Sequence, residues 1–206
     1  MFWRVSNVEA FRQWESDDES ELDDLLDKLR GDWPSSGLME AGTAFHKALE
    51  TAPMEGDFET LTALGHRFTF NGDFELSLTR IRELRGSGRY MVDGLPIHVS
   101  GQVDAIEGRR IEDHKTTGRF DPDRYLAGYQ WRLYLDIFDA DIFRWNVFEI
   151  AEQPSDDELL AFEVRSLHTL EQYRYPGLHE DCVSLVTRFA RFVRDHADLL
   201  EQREDA

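Results

Sequence analysis

The sequence predicts an α/β fold, a central mixed β-sheet flanked by helices, and three stretches predict it. Pro96 to Gly118 reads as a hairpin, two strand-like runs joined by the polar turn Glu107-Gly108-Arg109-Arg110. Leu61 to Val92 contains further strand-like runs and leads into that hairpin through Asp93-Gly94, giving an antiparallel meander. Beyond the hairpin, a helix-periodic segment is followed by the apolar run DIFRWNVFEI, so a parallel strand is expected after a helical crossover. At 206 residues the chain fits one domain, 1–206, with helical additions at its N- and C-terminal ends.

The hairpin carries the chemistry. Pairing Ile106 with Ile111 across the turn places Asp104 directly opposite Asp113. Side chains alternate along a strand, so Asp113 and Lys115 share a face, which we expect to be an outward-facing one. Opposed Cβ atoms lie roughly 4.5–5.5 Å apart, and two carboxylates placed there repel. A divalent cation would compensate. The plainer reading of the same residues is a solvated strand surface.

Composition narrows the classes. Hydrophobic content of 41% with 12% aromatic residues describes a chain with a core. The single cysteine, Cys182, excludes an intramolecular disulfide and any four-cysteine metal site. There is no basic-then-apolar leader, and no apolar run approaches the roughly 18 residues of a membrane span, so a cytoplasmic protein without membrane contact is expected. The formal charge of −19 repels a polyanion at long range. A nucleic-acid partner must therefore meet positive charge locally.

Taken in order, MFWRVSNVEAFRQW predicts a helix with Ser6 or Asn7 as N-cap and Val8, Phe11 and Trp14 on one face. The acidic stretch that follows predicts a solvated helix with Leu22, Leu25, Leu26 and Leu29 as a narrow apolar stripe. Trp33 to Gly42 reads as a loop. Thr43 to Thr51 reads as a helix with His46 and Glu50 on one face; His46 suits a core position, and Glu50 a helix ion pair, as well as a functional site. Asn71-Gly72 reads as a turn between the HRFTF strand and a strand through FELSLTRIREL. Arg67, Arg80, Arg82, Arg85 and Arg89 concentrate here, as ordinary surface charge or as a local phosphate-facing surface. Pro122 marks a helix start, and Gln130 and Tyr134 lie one turn apart. ELLAFEVRSL reads as strand or helix. Leu178 to Leu200 is an amphipathic helix, with QREDA fraying after it.

Several of these residues fall into a known order. Gly101-Gln102-Val103-Asp104 followed by Asp113-His114-Lys115-Thr116 resembles the core of the PD-(D/E)XK nuclease superfamily, in its RecB-type branch, which includes CRISPR-associated RecB-like exonucleases and phage relatives. GTAFHKALE resembles that branch's Gly-x-x-x-His helix, and YQWRLY its Gln-x-x-x-Tyr element. Glu112 departs from the apolar residue usual before the second aspartate, and it lies on the face opposite the acids. The resemblance implies a restriction-endonuclease-like core. It implies a metal-dependent DNA exonuclease, in DNA recombination, repair or phage DNA processing, with Asp104, Asp113 and Lys115 catalytic. Mg²⁺ or Mn²⁺ would be held by His46, Asp104, Asp113 and the His114 carbonyl, while Gln130, Tyr134 and Thr116 support the site or contact DNA. Relatives with an iron–sulfur cluster use four cysteines; this chain, with one, implies none. Linear DNA with ends is the expected partner, and a recombinase, a single-strand-binding protein and an oligomer stay open. The alternatives are a PD-(D/E)XK endonuclease, an acidic DNA mimic and a non-catalytic protein-binding module.

Overall fold

Asp93 and Gly94 both take left-handed backbone angles, φ 51° and 80°, the geometry of a two-residue hairpin whose twist suits the flanking strands. They join β4 (Ile81–Val92) to β5 (Leu95–Glu107) in an antiparallel ladder that runs from Ile81↔Ile106 to Val92↔Leu95. A second turn, with Gly108 at φ 59°, leads into β6 (Arg110–Thr117). The expected meander and hairpin are both present. The structure is a computed structural model, and it describes residues 2–53, 59–72 and 78–201.

Two short helices follow the hairpin, α4 (Pro122–Leu126) and α5 (Gln130–Ile137), and return the chain to β7 (Ile142–Gln153). Asp121 caps α4 by accepting a hydrogen bond from the Asp123 N–H, with Pro122 in the first turn. β7 pairs parallel to β6 from Arg110↔Ile142 to Thr117↔Glu149, so the crossover is as expected. β8 (Leu160–Tyr173) then pairs antiparallel to β7, which settles ELLAFEVRSL as strand. β3 (His66–Phe70) lies parallel to β8, and β2 (Thr60–Ala63) pairs antiparallel to β3. At the other end, β1 (Phe2–Arg4) runs parallel to β5. The order is β1-β5-β6-β7-β8-β3-β2, with β4 also on β5.

That order has a consequence for β5. With β4 along one edge, β1 and β6 must share the other. β1 takes His98 to Ser100, and β6 takes Ala105 to Glu107. Residues 101–104 between them form no ladder pair on that edge. The candidate site occupies this interruption.

Alternate residues of β7 bury themselves on opposite faces. Phe143, Trp145 and Val147 join α1 (Val5–Glu15), α2 (Leu22–Arg30), α5 and α6 (Leu178–Asp195) in the larger core. Phe148 and Ile150 pack with α3 (Gly37–Thr51), β3 and β8 in the smaller one. The fold is therefore mixed α/β with helices on both faces of a central sheet. Two apolar faces explain why β7 reads as a nearly continuous apolar run.

Four local expectations are corrected. α1 begins at Val5, directly after β1, and Asn7 lies inside it with its Oδ1 accepting the Arg4 N–H at 3.0 Å. α3 begins at Gly37, not Thr43: Ser36 accepts the Met39 N–H as N-cap, and Gly42 is helical against Thr116, whose Oγ1 would lie 3.1 Å from an added Cβ. The turn after HRFTF is not a hairpin between neighbours, because β3 pairs with β2 and β8, and the hairpin turn is Leu64-Gly65. Of the strand proposed from Phe74 to Leu84, residues 74–77 lie outside those described, 78–80 form no strand, and Ile81 to Leu84 open β4; QREDA also lies outside the described residues. The C-terminal helix is divided into α6 and α7 (Ala197–Glu201) at His196. The leucine stripe of α2 is buried at Leu25, Leu26 and Leu29. No helix among the described residues is long and apolar enough to cross a membrane.

Candidate active site

The hairpin register is the one the turn predicts, Ile106↔Ile111, but the ladder stops at Ala105↔Glu112. Asp104 and Asp113 do not form the expected cross-strand pair. Opposite Asp104, Glu83 on β4 has φ 54°, and the β4–β5 register passes from Arg82↔Ala105 to Leu84↔Val103. Asp104 thus lacks a ladder partner on β4, with no extra residue on either strand. Its carboxylate then takes the place of a ladder bond, with Oδ2 accepting the backbone N–H of His114 at 2.6 Å. Its other oxygen lies 3.3 Å from His46 Nδ1. The structure thus brings α3, β5 and β6 together at one point.

Asp113 and Lys115 do share a face, and the Lys115 ammonium forms an ion pair with Asp113 Oδ1. The face is not an outward one. Asp113 is 2% exposed, because α5 covers it. Gln130, the first residue of α5, donates from Nε2 to Asp113 Oδ2 at 3.1 Å. One turn on, Tyr134 donates its hydroxyl to the Gln102 carbonyl at 3.0 Å, which fills the interruption in the β5 ladder. Gly101 makes room for that ring: a Cβ there would lie 2.3 Å from Tyr134 Cε1. The helical spacing of Gln130 and Tyr134 therefore serves two strands from one helix face.

Charge compensation comes from inside the chain. Lys115 answers Asp113 and His46 answers Asp104, so carboxylate repulsion does not by itself demand a cation. Burial pushes the Asp113 carboxyl up to about 6, opposed by Lys115 and assisted by Asp104. Burial also acts against ionised Asp104, but the hydrogen bond and charge of His46, with Lys115 beyond, bring it down to about 2. His46 is raised: burial lowers it, and Asp104 outweighs that. Lys115 is likewise raised, since its two carboxylate neighbours outweigh burial. Two acids at one site with pKa values driven apart are what acid–base chemistry uses, although structural ion pairs do the same.

His114 points to the opposite face, buried, with its Nδ1 3.4 Å from Asn146 Nδ2; burial lowers it to about 4 and keeps the ring neutral. Its backbone N–H is the group bonded to Asp104. Glu112, on that same opposite face, is also buried. It is held by Asn146 at 3.1 Å and Arg110 at 3.1 Å, so the departure from an apolar residue is accommodated by a polar network. Thr116 lines a cavity of about 640 Å³ with His46, Lys115 and Arg124. Gln130 and Tyr134 line another, of about 520 Å³, with Arg85 and the start of α1.

No group of three or more His, Cys, Asp or Glu side chains among the described residues is arranged to hold a metal ion. The donor types, two carboxylates and an imidazole, are nevertheless ones that a hard or borderline divalent cation accepts. Asp113 Oδ1 is buried against the Lys115 ammonium, which is its partner there.

The arginines do not form one phosphate-facing surface. Arg67, on β3 at the far end of the sheet, pairs with Asp157. Arg82 closes the C-terminal end of α3, donating to the carbonyls of Leu49, Glu50 and Ala52 at 2.9, 2.9 and 2.8 Å. Arg109 pairs with Asp139 and Asp141, and Arg110 with Glu107 and Glu112. Acidic neighbours take up the charge of Arg67, Arg109 and Arg110, while Arg85 donates to Gln102 Oε1 at 2.8 Å beside the cavity that Gln130 and Tyr134 line.

Sequence reasoning missed three contributors: Gln102, which supplies the carbonyl for Tyr134; Glu83, which faces Asp104 without a ladder pair; and Glu9, buried on α1. None carries a local signal, because each acts on residues distant in the chain.

No family model and no curated protein sequence matches the chain. Among solved structures, the crystal structure of SSO0001 is similar with a TM-score of 0.52 at 14% identity, over 100% of this chain and 79% of that one. The crystal structure of LHK-Exo in complex with dAMP has a TM-score of 0.47 at 12% identity, over 98% of this chain and 92% of that one. At such identity the first likeness concerns the fold alone, and the second is too loose to bear on function. The chain shares its sheet-and-helix architecture with SSO0001.

Proposed function

We propose that the chain is a metal-dependent deoxyribonuclease, an exonuclease in preference to an endonuclease. The observation that carries this reading is the buried Asp113, paired to Lys115 and hydrogen-bonded by Gln130, beside Asp104. A sheet surface that was merely solvated would not bury a carboxylate against a lysine and a dedicated amide. In this reading Asp104 and Asp113 hold Mg²⁺ or Mn²⁺, with His46 and the His114 carbonyl as further donors. Such a cation supplies Lewis acidity at a phosphodiester and makes water nucleophilic near neutral pH.

The rest falls to the protein. Lys115 stays protonated and presents its ammonium where charge builds on a phosphate oxygen. Gln130 keeps the Asp113 carboxylate in one orientation, and Tyr134 keeps β5 at a fixed distance from α5. Asp113, raised by burial, is the more easily protonated acid, and Asp104 the permanent anion. DNA enters against the chain's overall charge, so the approach depends on these few cations. An acidic mimic of DNA needs no such internal pairing.

The test is purified protein with linear and covalently closed DNA in Mg²⁺, Mn²⁺ or EDTA. Degradation of linear DNA with metal, and of neither DNA in EDTA, is expected. Cleavage of closed circles makes the enzyme an endonuclease. No cleavage with either metal overturns the reading.

A further inference from the structure

α5 is not capped from within its own segment. Its N-cap residue, Tyr129, offers no side-chain cap. Instead the Tyr129 backbone N–H donates to Glu9 Oε2 at 2.7 Å, across 120 positions of sequence. Glu9 sits on α1 and is 9% exposed. Its other oxygen accepts from Arg12 Nε at 2.9 Å and Gln13 Nε2 at 3.3 Å, so α1 itself aims the carboxylate. A carboxylate at a helix N-terminus is favoured by the free N–H groups and by the helix dipole.

The turn before α5 is shaped to admit it. A Cβ at Gly128 would come 3.3 Å from Glu9 Oε1, so a side chain there would crowd the carboxylate. From the other side, Arg132 Nη1 donates to the Gly128 carbonyl at 2.7 Å, and its guanidinium lies over the Tyr129 ring at 4.4 Å. The residue after Tyr129 is Gln130, whose amide holds Asp113 at 3.1 Å. One peptide unit therefore separates the Glu9 contact from the residue that orients the candidate catalytic acid.

We propose that Glu9 is a positioning residue of the candidate active site: by fixing the start of α5 it sets where the Gln130 amide meets Asp113. The proposal rests on the nuclease reading of Asp113. It differs from simple docking of α1 on α5, because its effect must pass through Gln130.

The experiment compares Glu9→Ala, Glu9→Gln, Gln130→Ala and the double variant Glu9→Ala/Gln130→Ala. Cleavage of linear DNA in Mn²⁺ and the side-chain amide NMR resonances of Gln130 are measured. Loss of an outer partner of this kind typically costs about 10- to 100-fold in activity. Glu9→Ala is expected to lower kcat by about tenfold with KM little changed, on the same basis. Glu9→Gln, whose amide oxygen can still accept from Tyr129, should recover most of it. The double variant should be no worse than Gln130→Ala alone, since both changes break one chain of contacts. The Gln130 amide resonances should shift in Glu9→Ala and return in Glu9→Gln. Should Glu9→Ala not fold, Glu9→Asp serves in its place: it keeps the charge but falls short of Tyr129, and the same loss is expected. Multiplying losses in the double variant, or Gln130 resonances unmoved by Glu9 substitution, overturn the proposal. If the wild type cleaves no DNA, the nuclease reading fails, and the resonances alone decide whether Glu9 sets Gln130.

Discussion

The Asp104 carboxylate accepts the backbone N–H of His114 at 2.6 Å, so the acid on β5 is tied to the strand that carries Asp113 and Lys115. The bond forms where the β5–β6 ladder has ended, and it keeps two anionic side chains near one another without a direct cross-strand contact. Any change that moves either strand moves both acids.

Asp113→Ala and Lys115→Ala should each abolish cleavage, and Asp113→Ala alone should weaken Mn²⁺ binding by calorimetry. Asp113→Ala should also cost stability, since it leaves the Gln130 amide and the Lys115 ammonium without their partner. Unsatisfied buried groups cost about 1–3 kcal/mol. Asp113→Asn, of the same shape, should melt closer to wild type while remaining inactive. Wild-type turnover in any of the three would remove these residues from the site.

His46→Ala should lose more activity in Mg²⁺ than in Mn²⁺. Mg²⁺ demands near-ideal octahedral geometry and is the less forgiving of a missing donor. Rates in the two metals, compared with thermal melts, separate the roles. A lower melting temperature with an unchanged metal profile makes His46 only the partner of Asp104.

Gly101→Ala should destabilise the fold and impair cleavage together. Its Cβ would meet Tyr134 Cε1 at 2.3 Å and Val5 Cγ2 at 3.0 Å, both in packed surroundings. Overpacking of this kind costs about 1–3 kcal/mol. Gly118→Ala, with nothing within 4 Å of an added Cβ, is the matched control and should melt like wild type. Equal denaturant midpoints for the two variants would show that Tyr134 is free to yield.

Arg82→Ala should lower stability by about 2 kcal/mol, the scale of hydrogen bonds that involve a charged group. It closes the end of α3, the helix that carries His46. Were Arg82 instead a phosphate contact, the substitution would weaken DNA binding with no change in melting. Denaturant unfolding and DNA retardation, run on the same preparation, distinguish the two.

Much of this architecture was legible along the chain. Asp93-Gly94, the Ile106↔Ile111 register and the alternation of Asp113 with Lys115 follow from turn residues and strand period, which are local properties. The Gln130–Tyr134 face follows from helical period, and the parallel β7 from the need for a crossover. The start of α3 is hidden in the sequence, because Gly42 looks like a breaker, whereas it is helical where it packs on Thr116. What only the tertiary structure decided is what fills the space between elements. Pattern cannot show that β1 and β6 share one edge of β5, that Asp104 accepts the His114 N–H in place of a ladder bond, or that α5 buries Asp113. Nor can it show Arg82 on the end of α3, or Glu9 reaching Tyr129. Each of these joins residues far apart in sequence, and burial and hydrogen-bond satisfaction are settled only once the distant partner has arrived.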